Sequence, residues 1–99
     1  MTTEEKWEIV RARQAGRCYV CRQPMTQLAH ILPRDKLHYS IYGRVIIDHP
    51  DNVRGVCGFG NSTPCNAKVQ INTRAQPIAA AAHAQRIRQL LKEAMNEDV

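Results

Sequence analysis

Four cysteines have the spacing that most directly specifies chemistry in this chain. Cys18 and Cys21 form a Cys-x-x-Cys pair, and Cys57 and Cys65 follow well downstream. Thiolates are soft ligands, and two such pairs suit one tetrahedral zinc. Arg17-Cys18-Tyr19-Val20-Cys21-Arg22-Gln23-Pro24 predicts a tight knuckle whose backbone N–H groups bond back to sulfur. Cys57 and Cys65 bracket a wider seven-residue loop of turn formers, a looser signal than the first pair. The other use for four cysteines is two disulfides. Thr2 to Gln14 is charged throughout, unlike a signal peptide, and no apolar run reaches membrane-spanning length. The expected compartment is therefore the reducing cytoplasm, where thiols bind metal rather than pair.

Three further residues stand out between and beside the cysteines. His30 lies in Ala29-His30-Ile31-Leu32-Pro33-Arg34, Asn52 in Asp51-Asn52-Val53-Arg54, and Asn66 directly follows Cys65. An imidazole that is neutral near pH 7 can take a proton from water. By itself His30 reads as a core or zinc-adjacent histidine. Its company, and the charge around it, point further. The net charge is +5, and residues 1–16 and 76–99 each balance to zero. The whole excess falls on residues 17–75, within which Arg34, Lys36, Arg44 and Lys68 are the candidate phosphate contacts. A localised basic surface suits a polyanion partner, and equally a solvated basic face with none.

The elements that must position these residues can be read in order. Thr2 and Glu5 fit a capping box, so a helix is expected from there to Gly16, with Trp7 as its anchor. Thr26 to Leu32 is expected to be a strand. Residues 33–44 read as a long basic loop, and Arg44-Val45-Ile46-Ile47 as a second, β-prone strand ended by Pro50. Val53 to Cys57 then leads back to the metal. Asn66 to Asn72 is expected to be a short helix. Pro77 opens a final Ala-rich helix, 77–96, whose apolar stripe of Ile87, Leu90, Leu91 and Ala94 continues through His83. That stripe serves either packing or a homodimer seam. With 99 residues there is room for one small domain, and such domains need a staple.

The order knuckle, strand with His, loop, strand, Asp-Asn, Cys, Cys-Asn, helix resembles the HNH (ββα-metal) endonucleases with a treble-clef zinc site. It is nearest to phage-type, NinG-like members. Cys18, Cys21, Ala29-His30-Ile31, Asp51-Asn52-Val53, Cys57 and Cys65-Asn66 carry the resemblance, over about residues 4–72. It implies an α+β fold: a zinc-stapled finger, core 17–75, flanked by N- and C-terminal helices within one domain, 1–99. It implies a structural zinc on the four cysteines, and His30 as general base. Asn52 is expected to brace the loop and orient that base. Asn66 is expected to ligate a catalytic Mg²⁺ or other divalent cation. The expected setting is a bacterial or phage-infected cell. In many members an Asp or His immediately before the base ligates the cation, and here that place is Ala29. A hairpin turning near residues 39–40 would set His30 opposite position 49, which makes Asp48 and His49 the expected substitutes. The competing readings are a zinc-finger nucleic-acid binder without catalysis and a protein-interaction module using the last helix.

Overall fold

A computed structural model describes residues 1–60 and 62–97, so Asn61 of the wide cysteine loop and the last two residues lie outside it. Helix α1 (Thr3–Gln14) starts at the expected cap. Thr2 Oγ1 accepts from the Glu5 N–H at 3.1 Å, and Glu5 Oε1 accepts from the Thr2 N–H at 3.4 Å. It stops at Ala15, left-handed at φ 54°, with Gly16 following at φ 72°. Trp7 packs on Val10, Met25 and Val53.

Strand β1 (Gln27–His30) pairs antiparallel with β2 (Val53–Val56), and these two strands form the sheet among the described residues. The register is Leu28 opposite Gly55, Ala29 opposite Arg54 and His30 opposite Val53. This corrects the expected hairpin in two respects. The second strand is the Val53 segment, not Arg44–Ile47, and His30 stands opposite Val53 rather than position 49. Gly55 masks β2 in the sequence, because glycine weakens a strand signal. The structure gives the reason for it. A Cβ there would meet the Met25 side chain at 2.5 Å, and Gln14 bonds both the N–H and the C=O of Gly55 at 2.9 Å.

The segment expected as loop and strand is helical. Helix α2 (Lys36–Tyr42) is capped by Asp35, whose Oδ1 accepts from the His38 N–H at 2.9 Å. Gly43, at φ 86°, turns the chain into α3 (Arg44–Ile47). The β-propensity of Val45-Ile46-Ile47 yields to packing. Adjacent strand residues point to opposite faces, whereas adjacent helical residues can enter one core. Ile46 and Ile47 both do so, with Leu32, Ala80, Ala84 and Ile87. A short 3₁₀ turn (Pro50–Asn52) leads into β2. Helix α4 (Pro64–Val69) carries Cys65 in its first turn, and α5 (Pro77–Glu97) closes the chain. Of the expected α5 stripe, His83 and Ile87 are buried and Leu91 packs at the core's edge, Leu90 and Ala94 are exposed, and Ala80 and Ala84 complete the buried face. No described helix is long and apolar enough to cross a membrane.

Candidate metal centre and His30 cleft

The four cysteines meet. Cys18 and Cys21 lie in the knuckle, Cys57 directly after β2 and Cys65 in the first turn of α4. Their sulfurs all lie within 4.8 Å of one another, with Cys21 to Cys57 at 3.4 Å and Cys57 to Cys65 at 3.6 Å. All four are free thiols, so the disulfide alternative is not realised. Tetrahedral Zn–S bonds put sulfurs about 3.8 Å apart, close to this cluster. The knuckle has the expected local bonds. Cys18 N–H donates to Gln23 O at 2.6 Å, and the Val20 N–H points to Cys18 Sγ at 3.4 Å. Tyr19 N–H donates to Gly55 O at 2.9 Å, which docks the knuckle on β2.

The electrostatics of the cluster call for a cation. Burial opposes ionisation of Cys18, but backbone N–H groups of Cys21, Val20 and Cys57 outweigh it and lower the thiol to about 6. Cys57 is pushed up to about 12, first by the thiols of Cys21 and Cys65. Four sulfurs this close cannot all hold negative charge without a positive ion among them. The cluster is compatible with a structural zinc.

The strand alternation places Ala29 and His30 on opposite faces of the sheet. Ala29 packs with Cys18 and Val56, and Val69 of α4 joins that cluster. His30 shares its face with Leu28 and Val53, the face that α1 covers. The ring of His30 is half-buried, and its Nε2 is a buried atom with no hydrogen-bond partner among the described residues. Burial, then the charges of Lys6 and Arg34, hold His30 down at about 4, while Asp48 pulls the other way. The imidazole is thus neutral at pH 7. It lines an open cleft of about 450 Å³ with Leu28, Pro33, Arg34, Asp35 and Gln70.

Asn52 braces this region without a hydrogen bond to His30. Fully buried, it makes every bond its amide allows. Nδ2 donates to Leu32 O at 3.1 Å and Ile47 O at 2.9 Å; Oδ1 accepts from the Leu32 N–H at 2.9 Å and from His83 Nε2 at 3.1 Å. Its own carbonyl accepts from the Ile31 N–H at 2.8 Å. The residues directly after His30 are therefore clamped from both sides.

The other site residues fall into separate places. Asn66 is only 1% exposed, and its Oδ1 accepts from Gln70 Nε2 at 3.2 Å, so it meets the cleft only through Gln70. The His49 ring caps the 3₁₀ turn, with Nδ1 accepting from the Asp51 N–H at 3.1 Å. That bond occupies Nδ1. Asp48 Oδ1 accepts from Tyr39 Oη at 3.1 Å, and Tyr39 Oη accepts from Arg34 Nε at 3.0 Å. The Arg44 guanidinium lies 4.4 Å over the same Tyr39 ring, so Arg34 and Arg44 converge there. Lys36 and Lys68 are exposed on α2 and α4.

Three functional candidates escaped the sequence reading. Lys6 is 8% exposed and forms no ion pair or side-chain hydrogen bond among the described residues. It precedes the buried Val10 by one turn, and that i, i+4 relation on α1 was the available signal. Asp35 and Gln70 line the cleft from outside the motif residues. No family model, curated protein or solved structure matches this chain.

Proposed function

We propose that the chain is a metal-dependent DNA endonuclease of the HNH type, hydrolysing phosphodiester bonds from a treble-clef scaffold stapled by zinc. The observation that carries this reading is His30. It is a neutral imidazole that lines a cleft with Arg34, and its Nε2 is buried with no hydrogen-bond partner among the described residues. A guanidinium beside an unpaired base suits a phosphodiester. An anion entering the cleft would offset Lys6 and Arg34 and raise the basicity of His30 where a proton must be taken from water. Asn52 serves as a positioning residue, because it fixes the backbone on which His30 is mounted. Arg34 and Arg44, arranged on Tyr39, would hold the phosphate.

A Mg²⁺-class cation, when bound, would stabilise charge on the phosphate and the leaving oxygen. Of the expected ligands, Asn66 is buried, His49 caps a turn and Asp48 accepts from Tyr39, whereas Asp35 is a carboxylate on the cleft itself with Oδ1 held by His38. Mg²⁺ often takes only one or two carboxylates and keeps its waters. A homodimer along the outer side of α5, where Leu90 remains exposed, belongs to the same reading. One observation favours the non-catalytic binder. Among the described residues, the four cysteines form the one group of three or more His, Cys, Asp or Glu ligand atoms.

Cleavage of supercoiled plasmid, of single-stranded DNA or of a flapped oligonucleotide by the zinc-loaded protein, with Mg²⁺ or Mn²⁺, separates the two. Cleavage is expected for wild type and lost in a folded His30→Ala variant. Cleavage that persists in the variant removes His30 from the role. Salt-sensitive binding with no cleavage of any DNA leaves the binder.

A further inference from the structure

A second cleft, of about 370 Å³, shares Pro33 and Gln70 with the His30 cleft. The two adjoin there as one groove, lined by His30 and Arg34 in one part and by Leu37, Ile71 and Arg74 in the other. We propose that this groove is the track of an unpaired nucleic-acid strand, so that the substrate is single-stranded or flapped rather than intact duplex. The proposal rests on the nuclease reading for setting the scissile phosphate at His30.

The walls are α2 and the segment that follows α4. They are tied together across the groove rather than merely apposed. Asp35 Oδ1 lies 2.6 Å from His38 Nδ1, and His38 Nε2 lies 2.8 Å from Thr73 Oγ1. Ile71 N–H donates to Ile31 O at 2.9 Å, which fixes the far wall to the residue after His30. A groove built this way exists before any ligand arrives.

Its chemistry alternates in the way a single strand does. Leu37, 62% exposed, and Ile71 give the second cleft an apolar side. Arg34 lines the first cleft and Arg74 the second, and the exposed Lys36 and Lys68 adjoin the lining residues Leu37 and Ala67. None of these four cations is ion-paired among the described residues. The one carboxylate lining either cleft, Asp35, is engaged by His38. An unpaired strand offers both phosphates and bare base faces to such a surface. A duplex hides its base faces in the stack, so it offers the apolar side of Leu37 and Ile71 only its backbone.

The test is fluorescence anisotropy of the zinc-loaded protein, without added Mg²⁺, on labelled oligothymidine and on a mixed-sequence duplex of equal length. The single strand is expected to bind about tenfold tighter than the duplex. Leu37→Asp and Arg74→Glu, both at exposed positions, are each expected to weaken that binding by about tenfold. Arg88→Glu makes the same charge change as Arg74→Glu but on α5, and is expected to stay within about twofold. Equal or tighter duplex binding overturns the proposal. So do groove variants that behave like Arg88→Glu, or an oligoglutamate that displaces the strand equally well at equal charge. Groove binding without cleavage by wild type sinks the nuclease reading alone, and nicking of duplex by a protein indifferent to single strands sinks the groove alone.

Discussion

Asn52 makes no hydrogen bond to His30, yet it decides where His30 stands. Its saturated amide joins the turn after β1, the end of α3 and His83 of α5 at one buried point. Asn52→Asp keeps the shape, removes both donors and places a charge against two carbonyls. It is expected to cost about 3 kcal/mol or more. His83→Ala removes one bond and leaves Asn52 Oδ1 still paired to Leu32, so a loss of about 1–2 kcal/mol is expected. Thermal unfolding checks both, at about 4–8 °C per kcal/mol for a domain this size. Equal midpoints for the two variants would remove Asn52 from its central place. His30 makes a pH prediction. Its folded pKa of about 4 lies below the ordinary 6.5, so the unfolded chain binds the extra proton between those values. The neutral ring's contribution is complete above pH 6.5 and is lost as pH falls towards 4. His30→Gln should therefore lose less stability than wild type between pH 7 and pH 5, measured by denaturant midpoints. A larger loss in the variant would contradict the depressed pKa.

The cysteine elements form a unit that no single one of them can form. The knuckle, the end of β2 and the start of α4 each bring sulfur to one point, where Val20, Val56 and Val69 also pack. Removing zinc with a strong chelator is expected to unfold the chain, seen as loss of far-UV helicity that added Zn²⁺ restores. Cys21→Ser should bind zinc more weakly and unfold at lower chelator concentration. Unchanged helicity in the stripped protein would show that the core stands without metal. The cysteine elements were legible because ligand spacing is local. Helix α2 was half-legible, since Asp35 and Gly43 are its start and stop signals, but its basic, polar composition reads as loop. Helix α3 was misread because Val45, Ile46 and Ile47 favour strands, and the reason they do not form one lies in α5, far along the chain.

At the scale of the whole molecule, α5 is a wall of the core rather than a flank. The sequence reading places the finger within residues 17–75, with the last helix added to it. In the structure, Ala80, Ala84 and Ile87 complete the cluster around Leu32, Ile46 and Ile47, and His83 completes the Asn52 amide. A fragment ending before Pro77 is therefore expected to stay unfolded even with zinc, by circular dichroism and amide dispersion. A zinc-loaded fragment that folds would restore the finger as an independent unit.

The sequence by itself determined the ligand set, the α1 cap, the helix that begins at Pro77 and the identity of His30 and Asn52 as the residues to examine. These depend on spacing, caps and residue chemistry, which are properties of short stretches. Only the tertiary structure decided which strand faces β1, that Ala29 and Asn66 are sealed on the α4 side, and that Lys6, Asp35 and Gln70 belong to the surroundings of His30. Those outcomes follow from register and from which faces must be buried together. A one-residue change of register would exchange the two faces of β1, and no local pattern in Gln27-Leu28-Ala29-His30 fixes that choice. It is fixed by Val10 and Met25 on one side of the sheet and by Cys18 and Val69 on the other.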